Sequence, residues 1–277
     1  MSGYVEAASV PRRNNGQIKL YTESDFAGMR RAGALAARCL DELAALVRPG
    51  IRTEQIDQFV YDFGLQNGAL PATLGYRGYW KSSCTSINHV VCHGIPGQKP
   101  LREGDILNVD VTFIVDGWHG DTSRMYPVGE VKRSAQRLMD VTYEAMMLGI
   151  AEIKPGGHTG DIGAAIQTYA EGQRCSVVRD FCGHGLGQLF HDAPNILHYG
   201  TRGGGVELRP GMIFTVEPMI NLGRPQVKIL PDGWTAVTRD RSLSAQFEHS
   251  VGVTEDGVEI FTTSPAGLDR PPYKLGG

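Results

Sequence analysis

Apolar positions in this chain fall into two periods. Through residues 23–47 they recur at spacings of three and four, which predicts one long helix with a single buried face. Thr22 is placed to cap it and Pro49-Gly50 to end it. The same period predicts a second helix over 54–67, capped by Thr53 and closed at Gly68, a third over 132–152 and a fourth over about 160–172. Between them lie strand-like runs at 84–92, 106–115, 118–127, 177–182, 212–221, 226–230, 234–238, 246–253 and 257–262.

The two longest runs flank Asp116-Gly117, a strong signal for a two-residue hairpin turn. In that register Val115 faces Trp118 and Asp121 faces Thr112, so Asp110 and Asp121 share one face of the hairpin. As diagonal neighbours their backbones lie roughly 7–8 Å apart. Two like charges so placed destabilise each other unless a proton or cation lies between them. The other reading of the hairpin alone is that one aspartate turns to solvent.

A faint repeat also runs through the pattern. "RPGIRTEQID" at 48–57 resembles "KPGGHTGDIG" at 154–163, and "LREGDILNVD" at 101–110 resembles "LRPGMIFTVE" at 208–217. Offsets of 106 and 107 in the same order suggest duplicated halves, against the alternative of two common helix–turn words. The repeat superposes Asp110 on Glu217, so a pseudo-two-fold axis would bring both carboxylates to one central site.

Composition narrows the class. The chain has 277 residues, 41% hydrophobic and 21% charged, as a globular protein does, and a net charge of −3 does not favour a nucleic-acid carrier. No run approaches the 18 apolar residues of a membrane span, and "MSGYVEAASVPRRNNGQ" has no apolar signal-peptide core and reads as a flexible arm. The five cysteines, Cys39, Cys84, Cys92, Cys175 and Cys182, form no CxxC pair and fit reduced thiols in the cytoplasm.

Four acids need an explanation. Asp110 and Asp121 share the hairpin face, Glu217 follows an apolar strand and precedes a proline, and Glu248 sits within another alternating strand. Acids embedded in apolar strands need a partner, and no Lys or Arg stands at a spacing that pairs all four. His184, framed by glycines in "CGHGLGQLFH", is the fifth candidate. One imidazole and four carboxylates suit two divalent ions, Mn, Fe, Co or Zn. Read singly, a histidine such as His184 is more often structural than a ligand. HExxH and GxSxG are absent, "GHGLG" lacks the setting of a dinucleotide fingerprint, and the glycines at 203–205 read as a loop. Cys92 and His93 are adjacent, so their side chains diverge on a strand.

With these residues in order, the chain resembles the type 1 methionine aminopeptidases over about residues 22–264. The resemblance rests on "SINHVVCHGIP", "NVDVTFIVDGWHGDTSRMY", "CGHGLGQLFH", "FTVEPMIN" and "SLSAQFEHSV". It implies the α+β pita-bread (creatinase/aminopeptidase) fold: a central antiparallel sheet, pseudo-two-fold halves and outer helices. The domains expected are an arm over 1–20, a catalytic domain over 21–266 with halves of about 21–130 and 131–266, and a tail over 267–277.

The activity implied is removal of an N-terminal methionine from nascent polypeptides when the second residue is small, with a metal-bridging hydroxide attacking the first peptide bond. Asp110, Asp121, His184, Glu217 and Glu248 would then hold the two ions. His191 would stabilise the oxyanion, His93 would contact the departing nitrogen, and Glu217 would also shuttle a proton. Tyr76, Tyr79, Cys84, Phe190 and Trp234 would line the methionine pocket together with His93 and His191. Backbone oxygens of Asn88, Val90 and Ser244 would hold a monovalent cation, Na or K. Thr73, where relatives often carry cysteine, and Trp80, where they commonly carry proline, depart from the pattern. A monomer that meets nascent chains at the ribosome, with no membrane and no sequence-specific nucleic-acid partner, completes the expectation. Its rivals are a proline-directed aminopeptidase or prolidase of the same fold, and a non-enzymatic ribosome-associated binding protein.

Overall fold

Each half of the chain runs through two helices and then into strands. The computed structural model describes residues 3–273; Met1, Ser2 and 274–277, the extremities of the expected arm and tail, lie outside the described residues. The first half holds β1 (Tyr4–Glu6), β2 (Ile18–Leu20), α1 (Glu23–Leu46), α2 (Thr53–Gln66), β3 (Leu70–Pro71), β4 (Cys84–Ile87), β5 (Val90–Cys92), β6 (Ile106–Val115) and β7 (Trp118–Pro127). The second opens with α3 (Arg133–Ala151) and α4 (Thr159–Gly172), then β8 (Ser176–Val177), β9 (Gly183–Gly185), β10 (Asp192–Ile196), β11 (Ile213–Val216) and β12 (Met219–Asn221). It ends with β13 (Val227–Ile229), β14 (Ala236–Thr238), β15 (Ser244–Gln246), β16 (His249–Val253) and β17 (Val258–Ile260).

The halves repeat in detail. α2 and α4 begin at Thr53 and Thr159, 106 residues apart. Isolated bridges join Arg52 to Pro100 and His158 to Glu207. Gly50 N donates to Leu101 O at 2.8 Å, and Gly156 N donates to Leu208 O at 2.9 Å. The threonine hydroxyls accept from Gly97 N at 2.9 Å and Val206 N at 3.0 Å. Thr53 is therefore not the cap expected of it: Arg52 holds that position, and the Thr53 hydroxyl ties α2 to the loop before β6. At α1 the expected cap is present, with Thr22 and Asp25 satisfying each other's backbone amides.

β6 and β7 pair along their full length, while β3 and β4 take the other edge of β6. In the second half the order is β10–β9–β11–β16–β17, with β15–β12–β8 as a smaller set, while β13–β14–β5 spans the two halves. A bridge between Ser123 and Glu248 joins β7 to the second half. Among the described strands only β1–β2 is a parallel pair. Each half has its own core. Leu40, Ile56, Val60 and Phe63 pack on Val109, Val111 and Phe113, and Leu138, Met139, Ile162 and Ile166 pack with Phe214, Val216 and Val251. Burying such side chains contributes about 1.5–3 kcal/mol each. α1 lies unusually close to β7, because a Cβ on Gly120 would stand 2.2 Å from Ala32 O. That contact is reinforced by a fully buried ion pair between Arg124 of β7 and Asp41 of α1. Asp41 also accepts from Ser264 Oγ at 2.6 Å and Ala266 N at 3.2 Å, which ties down the chain beyond β17.

Several expected strands are shorter or broken. The 84–92 run divides where Asn88 takes a φ of 57°. The 212–221 run divides at Glu217-Pro218, since proline cannot donate to a ladder. The 246–253 run divides at Phe247-Glu248, so Glu248 lies between strands rather than within one. At 177–182 only Val177 is strand; β3, β9 and β10 carried no periodic signal. The arm expected to be flexible carries β1, whose Tyr4 donates its hydroxyl to Glu207 O at 2.6 Å.

Candidate metal centre

The hairpin sets the first two acids. Asp116 and Gly117 take φ of 50° and 83°, the pair of positive values a two-residue turn demands. Val115 then pairs with Trp118 and Thr112 with Asp121, the expected register. Thr112 Oγ1 donates to Asp121 Oδ1 at 2.6 Å, and Asp110 lies two residues along the same face.

β9 brings the histidine. Its glycines let it wedge between β10 and β11: a Cβ on Gly183 would stand 2.3 Å from Thr215 O, and one on Gly185 2.1 Å from Ala193 O. His184 N donates to Thr215 Oγ1 at 3.0 Å. His184 Nδ1 lies 3.0 Å from Gly185 O, a carbonyl that can only accept, so the ring proton sits on Nδ1. Burial, the larger influence, lowers the imidazole pKa to about 4. Nε2 is therefore a bare lone pair, and it points at Asp121 Oδ2 and Glu217 Oε1, 3.6 Å from each.

Glu217 follows β11, one residue beyond the pair Val216–His249. Its carboxylate accepts from Thr215 Oγ1 at 2.7 Å and Gln246 Nε2 at 3.3 Å. Glu248 N donates to Ser123 O at 3.1 Å, and Thr122 Oγ1 donates to Glu248 O at 2.7 Å. Burial pushes Asp121, Glu217 and Glu248 well above the ordinary carboxylate range, and the acids' mutual repulsion adds to it. Burial alone raises Asp110 to about 7.

A lone pair and buried carboxyl oxygens aimed at one another are satisfied either by an acid proton or by a cation. Ligand atoms of Asp121, His184 and Glu248 lie within 4.8 Å of one another. Carboxylates plus a neutral imidazole are a donor set for borderline divalent metals, so the residues present fit the ions. Asp110 and Glu217 line the same cavity, of about 420 Å³.

Every other expected pocket residue lines that cavity too: His93, His191, Tyr76, Tyr79, Cys84, Phe190 and Trp234. The His184 and His191 rings are 4.0 Å apart, and Tyr76 stacks on His191 at 5.1 Å. Tyr79 meets Trp234 edge-on at 5.0 Å, and Cys84 pairs with Asp110 across β4 and β6. Trp80 is 54% exposed, and the Thr73 hydroxyl is engaged with Lys81 O at 2.9 Å.

Asn88, Val90 and Ser244 are not among the lining residues. Two of them adjoin elsewhere: Ser244 N donates to Asn88 O at 2.8 Å, and the buried Ser244 hydroxyl has no partner among the described residues. Sequence reasoning missed Thr215 and Gln246, which hold Glu217, and Cys92, Phe181, Cys182 and Met219 of the cavity wall. A signal existed for Thr215 alone, two residues before Glu217 on one strand face.

Buried acids around a neutral imidazole, at the seam of two like halves, define a metal-dependent hydrolase. The model of metallopeptidase family M24 matches residues 27–255, and the chain belongs to that family. It is 58% identical over 257 residues to the methionine aminopeptidase of Rickettsia prowazekii, spanning 92% of this chain and 99% of that one. Identity to the methionine aminopeptidase of Escherichia coli K12 is 49% over 247 residues, 88% and 94% of the two chains. The crystal structure of the Rickettsia prowazekii protein superposes with a TM-score of 0.88 at 57% identity, covering 89% of this chain and all 100% of the other. The Xaa-Pro dipeptidase of Bacillus anthracis, 23% identical with a TM-score of 0.72 over 91% of this chain and 64% of its own, shares the fold. That fold is the pita-bread arrangement. Among the described residues no helix is long and apolar enough to cross a membrane.

Proposed function

We propose that this chain is an aminopeptidase that removes methionine from the N-termini of new polypeptides whose second residue is small. The observation that carries the reading is the bare Nε2 of His184 facing Asp121 and Glu217, at the floor of a cavity whose walls suit a thioether. Asp110, Asp121, His184, Glu217 and Glu248 would hold two divalent ions. Such a pair supplies Lewis acidity and a water acidic enough to act as nucleophile near neutral pH.

The chain's own residues do the rest. Thr112, Thr215 and Gln246 fix the carboxylates of Asp121 and Glu217 through the hydrogen bonds described. Tyr79, Trp234 and Cys84 present rings and a thiol to the methionine side chain. His191 is kept neutral, its pKa lowered to about 2 chiefly by burial. Its Nδ1 is buried without a partner among the described residues, so a proton on Nε2 leaves no orphaned donor and offers an N–H to the scissile carbonyl. His93, edge-on to Phe181 at 5.4 Å, walls the space of the next residue and faces the departing nitrogen. Glu217 would also carry the proton passed to that nitrogen. Nascent chains in the cytoplasm would be met by a monomer at the ribosome, and a sodium or potassium ion would bind beside Asn88, Val90 and Ser244.

Proline-directed activity is not favoured: the relatives at 49–58% identity are named methionine aminopeptidases, while the Xaa-Pro dipeptidase lies at 23%. The test is hydrolysis of Met-Ala-Ser and of an Xaa-Pro dipeptide after chelation and titration with Mn, Fe, Co or Zn. Release of methionine from the first alone is expected. Background rates with every ion would refute the reading.

A further inference from the structure

The N-terminal arm reaches the cavity. It is anchored at one end by Tyr4, whose hydroxyl meets Glu207 O and whose ring lies 4.0 Å beneath the Arg209 guanidinium. At the other end Lys19 is buried in an ion pair with Asp192, the neighbour of His191, and donates to Arg13 O at 3.2 Å. Between these anchors the chain passes the cavity mouth, where Asn14 is exposed and lines the opening. Asn14 Nδ2 lies 3.4 Å from His191 O, and Asn14 Oδ1 accepts from Gly16 N at 3.0 Å. The carboxamide is thus oriented by its own turn, with one N–H left unused. The carbonyl it meets belongs to His191, the residue whose imidazole is assigned to the scissile carbonyl. An extended peptide advances about 3.3–3.6 Å per residue, so its backbone one or two residues past the cut runs by the arm.

We propose that Asn14, presented by the arm at the mouth of the cavity, is a specificity-determining residue that hydrogen-bonds the substrate backbone beyond the scissile bond. The inference rests on the aminopeptidase reading above. It makes the arm one wall of the substrate channel, so the protein distinguishes a peptide from a methionine derivative with nothing beyond the first amide.

The test compares Met-Ala-Ser-Ala with methionine p-nitroanilide on the metal-loaded full chain, using Asn14→Ala and Asn14→Asp. Aspartate keeps the acceptor for Gly16 N, and with it the turn, but has no N–H to give. Both variants should raise KM for the tetrapeptide by about fivefold to tenfold, the size of one hydrogen bond, with kcat little altered. The ratio of kcat/KM between tetrapeptide and anilide should fall by the same factor. Amide exchange at 18–20 should match the parent in Asn14→Asp, which separates a lost contact from a lost arm. An unchanged ratio, or equal losses on both substrates, overturns the inference while leaving the activity standing. Failure of the parent to cleave either substrate overturns the functional reading and the inference with it.

Discussion

Replacing Asp110 with asparagine should stabilise the metal-free protein while depriving it of function. The side chain keeps its shape and loses its charge. Burial raises the Asp110 carboxyl from 3.8 to about 7 in the folded chain. Between those values the folded state holds a proton that the unfolded state has released, so stability falls as pH rises through that window. Each pKa unit is worth 1.36 kcal/mol, so the loss approaches about 4 kcal/mol above pH 7. That figure is a ceiling, because Asp110 keeps one edge open to the cavity. The measurement is thermal unfolding of chelated parent and Asp110→Asn between pH 4.5 and 8. At pH 7.5 the variant should melt higher by up to about 8 °C, taking about 2 °C per kcal/mol for a chain of this size. Near pH 4.5 the gap should narrow to about 2 °C. Added divalent metal should raise the melting temperature of the parent by far more than that of the variant. A chelated variant that melts at or below the parent at pH 7.5, or a gap unchanged at pH 4.5, would refute the account of a buried carboxylate awaiting a cation.

Two further substitutions probe the supports. Thr112→Val removes the 2.6 Å bond to Asp121 without changing volume; metal affinity, read by titration calorimetry, should drop about 10- to 100-fold with the fold intact. Arg124→Met leaves Asp41 buried without its partner and should cost about 3–5 kcal/mol in urea unfolding, much of it regained when Asp41→Leu is added.

What the sequence made legible had local causes. The β6–β7 register was readable because Asp116-Gly117 permits few turns, and the side-chain period of two then fixes which acids share a face. The helices were readable to within one or two residues from their apolar spacing. The arm was not, because a three-residue strand has no period, and what holds it is Lys19 on Asp192 and Tyr4 on Glu207, contacts spanning more than 170 residues. Gln246 was likewise invisible: a glutamine beside a phenylalanine reads as an ordinary strand position, and only the fold turns its amide to Glu217.

The places where strand expectations failed are informative in their own right. The ladder of β11 stops at Glu217-Pro218 and that of β16 begins only after Glu248, so two of the four acids sit where pairing is interrupted. Periodicity ran both segments through those positions, because flanking apolar residues continue the alternation. A carboxylate that must point inward cannot also have a neighbouring strand fill the space before it. The chain resolves this conflict differently in its two halves. Asp110 and Asp121 lie within continuous strands and face the open side of the hairpin, whereas Glu217 and Glu248 occupy breaks, Glu248 bridging instead to Ser123 of the first half. That bridge, with the Thr122 Oγ1 bond to Glu248 O, places the acid of one half beside the hairpin of the other. The duplicated order of elements thus explains why the site lies at the seam, and the asymmetry of the breaks explains how four like charges from two similar halves come to surround one imidazole.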